Sequence, residues 1–213
     1  MNSEFTAMDI KAGIQYLSEI DPDMKRLIDY FGTISLDGDS DYYESLVKSI
    51  IYQQLSGKAA NTIYQRFRNL YPHDNIIDPQ HVYQTPLQTL KSIGLSERKA
   101  TYIQGLSYKW SSDEIKWSRF AYMSDEEISL VLKTVRGIGQ WTVDMFLIFS
   151  LKRPDVFPTG DLGIRKGLHI LCHLNDLPAS DEMLKIAEKW RPFRSLATLY
   201  LWKIADNNIS KLD

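Results

Sequence analysis

Val135-Arg136-Gly137-Ile138-Gly139 is the stretch whose reading decides how this chain folds. Two glycines either side of one apolar residue let a backbone reverse sharply and turn its N–H groups outward. Upstream, Ser124-Asp125-Glu126-Glu127 reads as a capping box before the apolar series Ile128, Val131, Leu132 and Val135. That spacing predicts a helix ending near Thr134. Downstream, residues 140–151 read as a second, strongly apolar helix. The turn and the unpaired N–H groups of the second helix together make a neutral anion site sized for one phosphate. A Gly-Ile-Gly between helices is by itself more often a plain turn, so its neighbourhood carries the weight.

Working outward, most segments read as helices with start signals. Thr85-Pro86 places a cap and an N1 proline before Leu87, Leu90 and Ile93, and Gly94 closes that helix. Ser96 can cap the next, from Glu97 to about Tyr108. Ser180-Asp181-Glu182 opens a helix running to about Trp190, Pro192 breaks it, and residues 195–205 form another. Residues 42–70 read as two helices around a turn at 53–57. The best strand candidate, residues 33–36, is too short to build a sheet. The expected class is all-α.

Bulk numbers agree with a soluble helical protein. The 213 residues suit one large domain or two small helical lobes, and 44% hydrophobic with 24% charged residues is a globular profile. The longest apolar runs, such as 145–149, are far too short for a bilayer. Met1-Asn2-Ser3-Glu4-Phe5 lacks the basic start and apolar core of a secretory signal, so a cytoplasmic location is expected. The single cysteine, Cys172, excludes an internal disulfide and a cysteine-ligated iron–sulfur cluster. A net charge of -2 argues against a protein that coats nucleic acid non-specifically, although a local patch can still neutralise a few phosphates. Basic residues cluster at Arg66/Arg68, Arg98/Lys99, Arg165/Lys166 and Lys189/Arg191/Arg194, for which solvated helix faces are the simpler account.

Beyond the second helix comes Phe157-Pro158-Thr159-Gly160-Asp161-Leu162-Gly163-Ile164-Arg165-Lys166-Gly167. Asp161 sits where a loop starts a helix, so it reads as an N-cap, and capping would hold its carboxylate in place. The whole stretch from Val135 to Gly167 resembles the helix-hairpin-helix, Gly/Pro-rich loop and aspartate signature of the HhH-GPD DNA glycosylase superfamily. Within it the chain is similar to the 3-methyladenine DNA glycosylase II branch. Three more blocks carry the likeness. Ser49-Ile-Ile-Tyr-Gln-Gln-Leu-Ser-Gly-Lys-Ala-Ala60 resembles that branch's DNA-inserting segment. Leu90-Lys-Ser-Ile-Gly-Leu-Ser-Glu-Arg-Lys-Ala100 resembles its second turn, and Trp190-Arg-Pro-Phe-Arg-Ser-Leu-Ala-Thr-Leu-Tyr-Leu-Trp202 its C-terminal pocket helix. The likeness runs from about Tyr16 to Ala205.

The resemblance implies two helical lobes with an active-site cleft between them, taken as a single glycosylase domain over 1–213. Longer bacterial members carry an extra N-terminal β-rich domain for which this chain has no room. Some members place a second acid just before the aspartate, where this chain has Gly160.

What the resemblance implies for the site is specific. Asp161 would be the catalytic carboxylate, stabilising an oxocarbenium-like sugar and orienting or deprotonating water. One carboxylate can suffice because an alkylated, positively charged base is already a good leaving group. Trp141, Met145 and Trp202 would line the base pocket, aromatic faces attracting a cationic base by ~0.5–2 kcal/mol each; core packing is the plainer account of such residues. Gln53, Gln54 and Leu55 would supply the wedge that fills the gap left by the flipped nucleotide, with the inserted side chain left open. Gly137, Gly139 and Thr142 would meet the DNA backbone. A structural Na+ or K+ would be held by the backbone carbonyls of Lys133, Val135 and Ile138, and no cofactor is required for the chemistry. Relatives with lyase activity carry a Schiff-base lysine two residues after the hairpin's last glycine, where this chain has Trp141, so no strand cleavage is expected. The four histidines lack zinc-like spacing, and no acidic cluster suggests magnesium.

The implied partner is double-stranded DNA containing damaged bases, engaged by a monomer. Three alternatives stay open: a helix-hairpin-helix module that only grips DNA, a glycosylase for another lesion, and a damage sensor that binds without excision. A carboxylate beside a phosphate-binding hairpin weakens simple binding, which favours chemistry over the first.

Overall fold

Local capping chemistry marks where many of the helices begin: among the described residues, side chains of Asp21, Asp41, Asp78, Ser96, Ser124 and Asp161 each cap one. In a computed structural model describing residues 7–36, 41–55, 57–72 and 76–207, all regular structure among those residues is helical. In chain order the α-helices are α1 (Ala7–Ile20), α2 (Pro22–Phe31), α3 (Tyr42–Tyr52), α4 (Gly57–Arg68), α5 (Pro79–Gln84), α6 (Leu87–Ser92) and α7 (Glu97–Ser111). They continue with α8 (Asp125–Leu132), α9 (Gln140–Met145), α10 (Leu162–Leu171), α11 (Ser180–Ala187) and α12 (Arg194–Asp206). Short 3-10 turns cover Trp117–Tyr122 and Glu188–Trp190, and a π-helical turn, Phe146–Ser150, follows α9 directly. Residues 33–36 form no strand.

The Ser124 capping box is present in full: Ser124 Oγ accepts from Glu127 N–H while the Glu127 carboxylate accepts from Ser124 N–H. Ser96 caps α7, which runs on to Ser111 rather than stopping near Tyr108. Two sequence expectations need correction. Thr85 does not cap α6; it ends α5, its hydroxyl donating to His81 O, and Pro86 takes the cap position without a side-chain bond. Proline's missing N–H and fixed φ suit either place at a helix start. The helix after Gly139 also does not stay α-helical to residue 151, because the ladder widens to π after Met145.

The chain divides into two compact units, Asp39–Phe146 and Met1–Gly38 with Leu147–Asp213. In the first, α3 packs on α4, α7 and α9, and α7 also covers α5 and α6. Its core takes Leu46, Val47, Ile50 and Ile51 from α3, Phe67 from α4 and Ile103 and Leu106 from α7, all out of solvent. Tyr43 is buried against Ser107, hydroxyl to hydroxyl at 2.7 Å, and burial pushes its phenol well above the ordinary tyrosine range.

In the second unit α12 is almost wholly buried and packs on α10, α1 and α2. α10 comes so close that a Cβ on Gly167 would lie 2.6 Å from the Leu201 carbonyl oxygen. Asp21, 1% exposed, caps α2 through the N–H groups of Asp23 and Met24. Its other oxygen takes the Trp190 indole N–H at 2.7 Å and the Lys189 ammonium at 2.8 Å. Burial alone would raise this carboxyl's pKa; the Lys189 and Trp190 hydrogen bonds outweigh it and hold it below the usual range.

Candidate functional site

Asp161 is the N-cap of α10. Its Oδ1 accepts the Ile164 N–H at 2.9 Å and the Trp202 indole N–H at 3.0 Å. Two donors on one oxygen orient the carboxylate. Gly163 permits this, since the Trp202 ring lies 3.0 Å from where a Cβ would be. The Trp202 indole also stacks on Phe149, centroids 5.7 Å apart and planes 14° off parallel. A cavity of about 430 Å³ adjoins this pair, lined by Phe31, Thr33, Ile34, Ser35, Phe149, Leu199, Trp202, Lys203 and Asp206. Trp202 therefore links the carboxylate to a hollow roomy enough for a nucleobase.

The unit Asp39–Phe146 holds the hairpin. α8 ends at Leu132, Lys133 is its C-cap, Gly137 adopts φ +96°, and Gly139 caps α9 in an extended conformation. Ile138 points inward at 6% exposure, while Arg136 and Gly139 face solvent. A Cβ on Gly137 would overlap the Tyr102 ring, whereas one on Gly139 would meet nothing within 4 Å. Space in front of Gly139 is what a phosphate oxygen needs to reach backbone N–H groups.

The turn at 53–55 is bound to this hairpin. Gln53 Nε2 donates to Gly137 O at 2.8 Å and to Thr142 Oγ1 at 3.3 Å. Gln53 is thus engaged with protein, and the buried Thr142 turns its hydroxyl inward, leaving its backbone N–H at the start of α9 as the group a phosphate could meet. Gln54 has φ +56°, and its Oε1 lies 3.4 Å from an Arg98 nitrogen. Leu55 is 39% exposed, an apolar side chain in solvent. Trp141 is half-buried, and Met145, a turn further along α9, is buried.

Several basic residues turn out to serve the fold. Arg68 pairs with Glu44, Arg194 and Arg191 with Asp155, and Lys189 with Asp21. Lys99, read from sequence as half of a surface pair with Arg98, is buried at 8% exposure and donates to the carbonyls of Ile51 and Gln53. Burial, with the charge of Arg98 beside it, lowers its ammonium pKa. A signal for this existed: Lys99 shares its helix face with Ile103 and Leu106, four and seven residues on. Phe149, by contrast, gave no local sign that it would lie under Trp202. Among the described residues no three His, Cys, Asp or Glu side chains gather as a metal site, and no helix is long and apolar enough to cross a membrane.

A capped carboxylate under a tryptophan, and a glycine hairpin with an exposed apolar residue on the turn bound to it, coincide with a known family. The model of the HhH-GPD superfamily base excision DNA repair proteins matches residues 47–192. The chain belongs to the HhH-GPD superfamily. DNA-3-methyladenine glycosylase 1 of Schizosaccharomyces pombe is 35% identical to this HhH-GPD protein over 192 residues, 88% of this chain and 84% of that one. A solved structure of a 3-methyladenine DNA glycosylase from S. pombe with abasic DNA superposes with a TM-score of 0.81 at 33% identity, covering 92% of this chain and 97% of that one. The DNA-3-methyladenine glycosidase of Bacillus halodurans gives 0.80 at 30% identity, covering 94% and 93%. These likenesses extend across both units of the HhH-GPD chain, so its helices follow a shared plan rather than a local motif.

Proposed function

We propose that this protein is a monofunctional DNA glycosylase that hydrolyses the N-glycosidic bond of alkylated bases, 3-methyladenine among them, in double-stranded DNA. The observation that carries the reading is Asp161: a carboxylate capping α10, one oxygen held by the Ile164 and Trp202 N–H groups, in the stretch whose sequence resembles the family's aspartate signature. Held this way it stabilises positive charge developing on the sugar and orients the attacking water without reorganising at the moment of reaction. Trp202 and Phe149 present aromatic surface beside the cavity, and a cationic base is attracted to such faces. Trp141 belongs to the base-contacting surface of α9 in this reading, with buried Met145 as support behind it.

The hairpin grips one phosphate through the N–H groups from Gly137 to Thr142, a contact that carries no sequence information. Leu55 is the wedge: Gln53 is tied to the hairpin, the Gln54 amide lies against Arg98, and Leu55 alone of the three is an exposed apolar side chain. The hairpin also suits a structural Na+ or K+ on the carbonyls of Lys133, Val135 and Ile138. These are neutral oxygens, Lys133 stands at the negative end of the α8 dipole, and Val135 O accepts one N–H, from Ile138, keeping a second lone pair. Such an ion would brace the end of α8 against the start of α9.

Abasic sites are left intact in this reading. By sequence resemblance Trp141 takes the place of the Schiff-base lysine of lyase-active relatives, and Lys166 is exposed on α10 beyond Asp161. The test is release of free base from methylated DNA by the wild type and Asp161→Asn side by side. Asparagine caps a helix as well as aspartate does, so the variant should fold, bind abasic-site DNA and lose excision by at least about a hundredfold. Near-normal turnover in a folded variant would sink the assignment. A covalent adduct trapped by borohydride, or strand breaks without alkali, would sink the monofunctional reading alone.

A further inference from the structure

α3 ends at Tyr52, and the C-terminus of a helix leaves carbonyls without intrahelical partners. Two of them, on Ile51 and Gln53, are taken by a single group: Lys99 Nζ of α7, at 2.7 and 2.6 Å. Lys99 is 8% exposed, and among the described residues no carboxylate pairs with it. A buried ammonium facing only neutral oxygens is an expensive way to fill space that a methionine would fill, so its value must lie in what it holds.

It holds a strained turn. Immediately after those carbonyls Gln54 adopts φ +56°, a left-handed conformation disfavoured for a residue with a side chain. Such strain persists where the surroundings over-determine it, often at functional positions. Here the determinants converge: Lys99 on the carbonyls, Gln53 Nε2 on Gly137 O and Thr142 Oγ1, Arg98 on Gln54 Oε1, and Leu55 N–H on Tyr52 O at 3.3 Å. The segment braced in this way is the one that leaves Leu55 exposed. Unstacking bases pushes back on an inserted side chain, so a wedge works better on a turn that is rigid beforehand.

We propose that Lys99 is a positioning residue for DNA insertion, its ammonium clamping the end of α3 to α7 so that the 53–55 turn presents Leu55 in a fixed, insertion-ready shape. This rests on the reading of that turn as the inserting element, and the experiment separates the two. Lys99→Met, Lys99→Arg, Leu55→Ala and the Lys99→Met/Leu55→Ala double variant are compared by affinity for an abasic-site duplex and for undamaged duplex. The fluorescence of a 2-aminopurine beside the lesion reports unstacking, and melting and amide exchange report the fold.

Lys99→Met should lower abasic-site affinity about tenfold, a 1.4 kcal/mol change, with a matching loss of 2-aminopurine signal and less than about a twofold change on undamaged duplex. Lys99→Arg should restore part of it. In the Leu55→Ala background Lys99→Met should do nothing further, and amide exchange in the single variant should quicken at 54–55 selectively. Unchanged abasic-site affinity in a folded Lys99→Met protein, losses that multiply with Leu55→Ala, or exchange that quickens uniformly would each overturn the proposal. If Lys99→Met does not melt cooperatively, Lys99→Gln, which keeps a donor without the charge, takes its place under the same criteria. A Leu55→Ala protein that inserts and binds normally would sink the reading of the turn, and the proposal with it, while leaving Asp161 untouched.

Discussion

Replacing each hairpin glycine by alanine should separate folding from DNA binding. Gly137 has φ +96°, where an L-residue is strained by roughly 1–2 kcal/mol. Its new methyl would also drive into the Tyr102 ring, whose displacement adds about 1–3 kcal/mol of overpacking. Gly137→Ala should therefore cost about 2–5 kcal/mol, or roughly 4–20 °C in Tm for a chain of this size. Gly139 has φ -102° and nothing within 4 Å of a Cβ, so alanine fits there without strain. A gain of about 0.4–1 kcal/mol from a stiffer unfolded chain roughly offsets the loss of glycine at an N-cap, leaving Tm near wild type. What that methyl obstructs is a phosphate approaching the backbone. Gly139→Ala should weaken binding to damaged and undamaged duplex alike, by about tenfold or 1.4 kcal/mol. Scanning calorimetry and fluorescence-anisotropy titration on both duplexes test this. The reasoning is refuted if Gly139→Ala melts as low as Gly137→Ala, or if it loses affinity only for lesion-bearing DNA.

Trp202→Phe keeps an aromatic ring on Phe149 but removes the N–H held by Asp161. Single-turnover excision should fall about tenfold or more, as for a lost hydrogen bond to a charged group, with abasic-site affinity and Tm little altered; equal losses in both would show that the indole serves binding instead. Asp21→Asn should destabilise by about 2 kcal/mol at neutral pH, roughly 4–8 °C. The Asp21 pKa is depressed in the folded state, so its contribution is complete above the ordinary carboxylate value of about 3.9 and disappears as pH falls through the folded value. Melting curves of variant and wild type should run parallel above about pH 5, and the gap should narrow as pH falls below the ordinary carboxylate value; a gap that does not narrow in acid would rule out the charge as its source.

Much of this protein was legible along the chain, and for a local reason. The Ser124 box, the Asp161 cap, the Gly137 reversal and the helical class depend on residues within one or two turns of each other. Their hydrogen bonds span three or four positions, so residue type and spacing carry the information. Three-dimensional packing decided the rest. Lys99 looked like half of a surface patch and is buried 46 residues away from the Gln53 carbonyl it holds. Gln53 looked like a wedge candidate and reaches 84 residues along the chain to the hairpin. The Trp202 indole meets Asp161 across 41 residues. Capping and helix period are local free energies, whereas the burial of an ammonium or the choice of a carboxylate's second donor depends on which distant helix occupies the neighbouring space. The hairpin and the aspartate could thus be read from sequence, while what braces the turn and what orients the carboxylate belong to the tertiary structure.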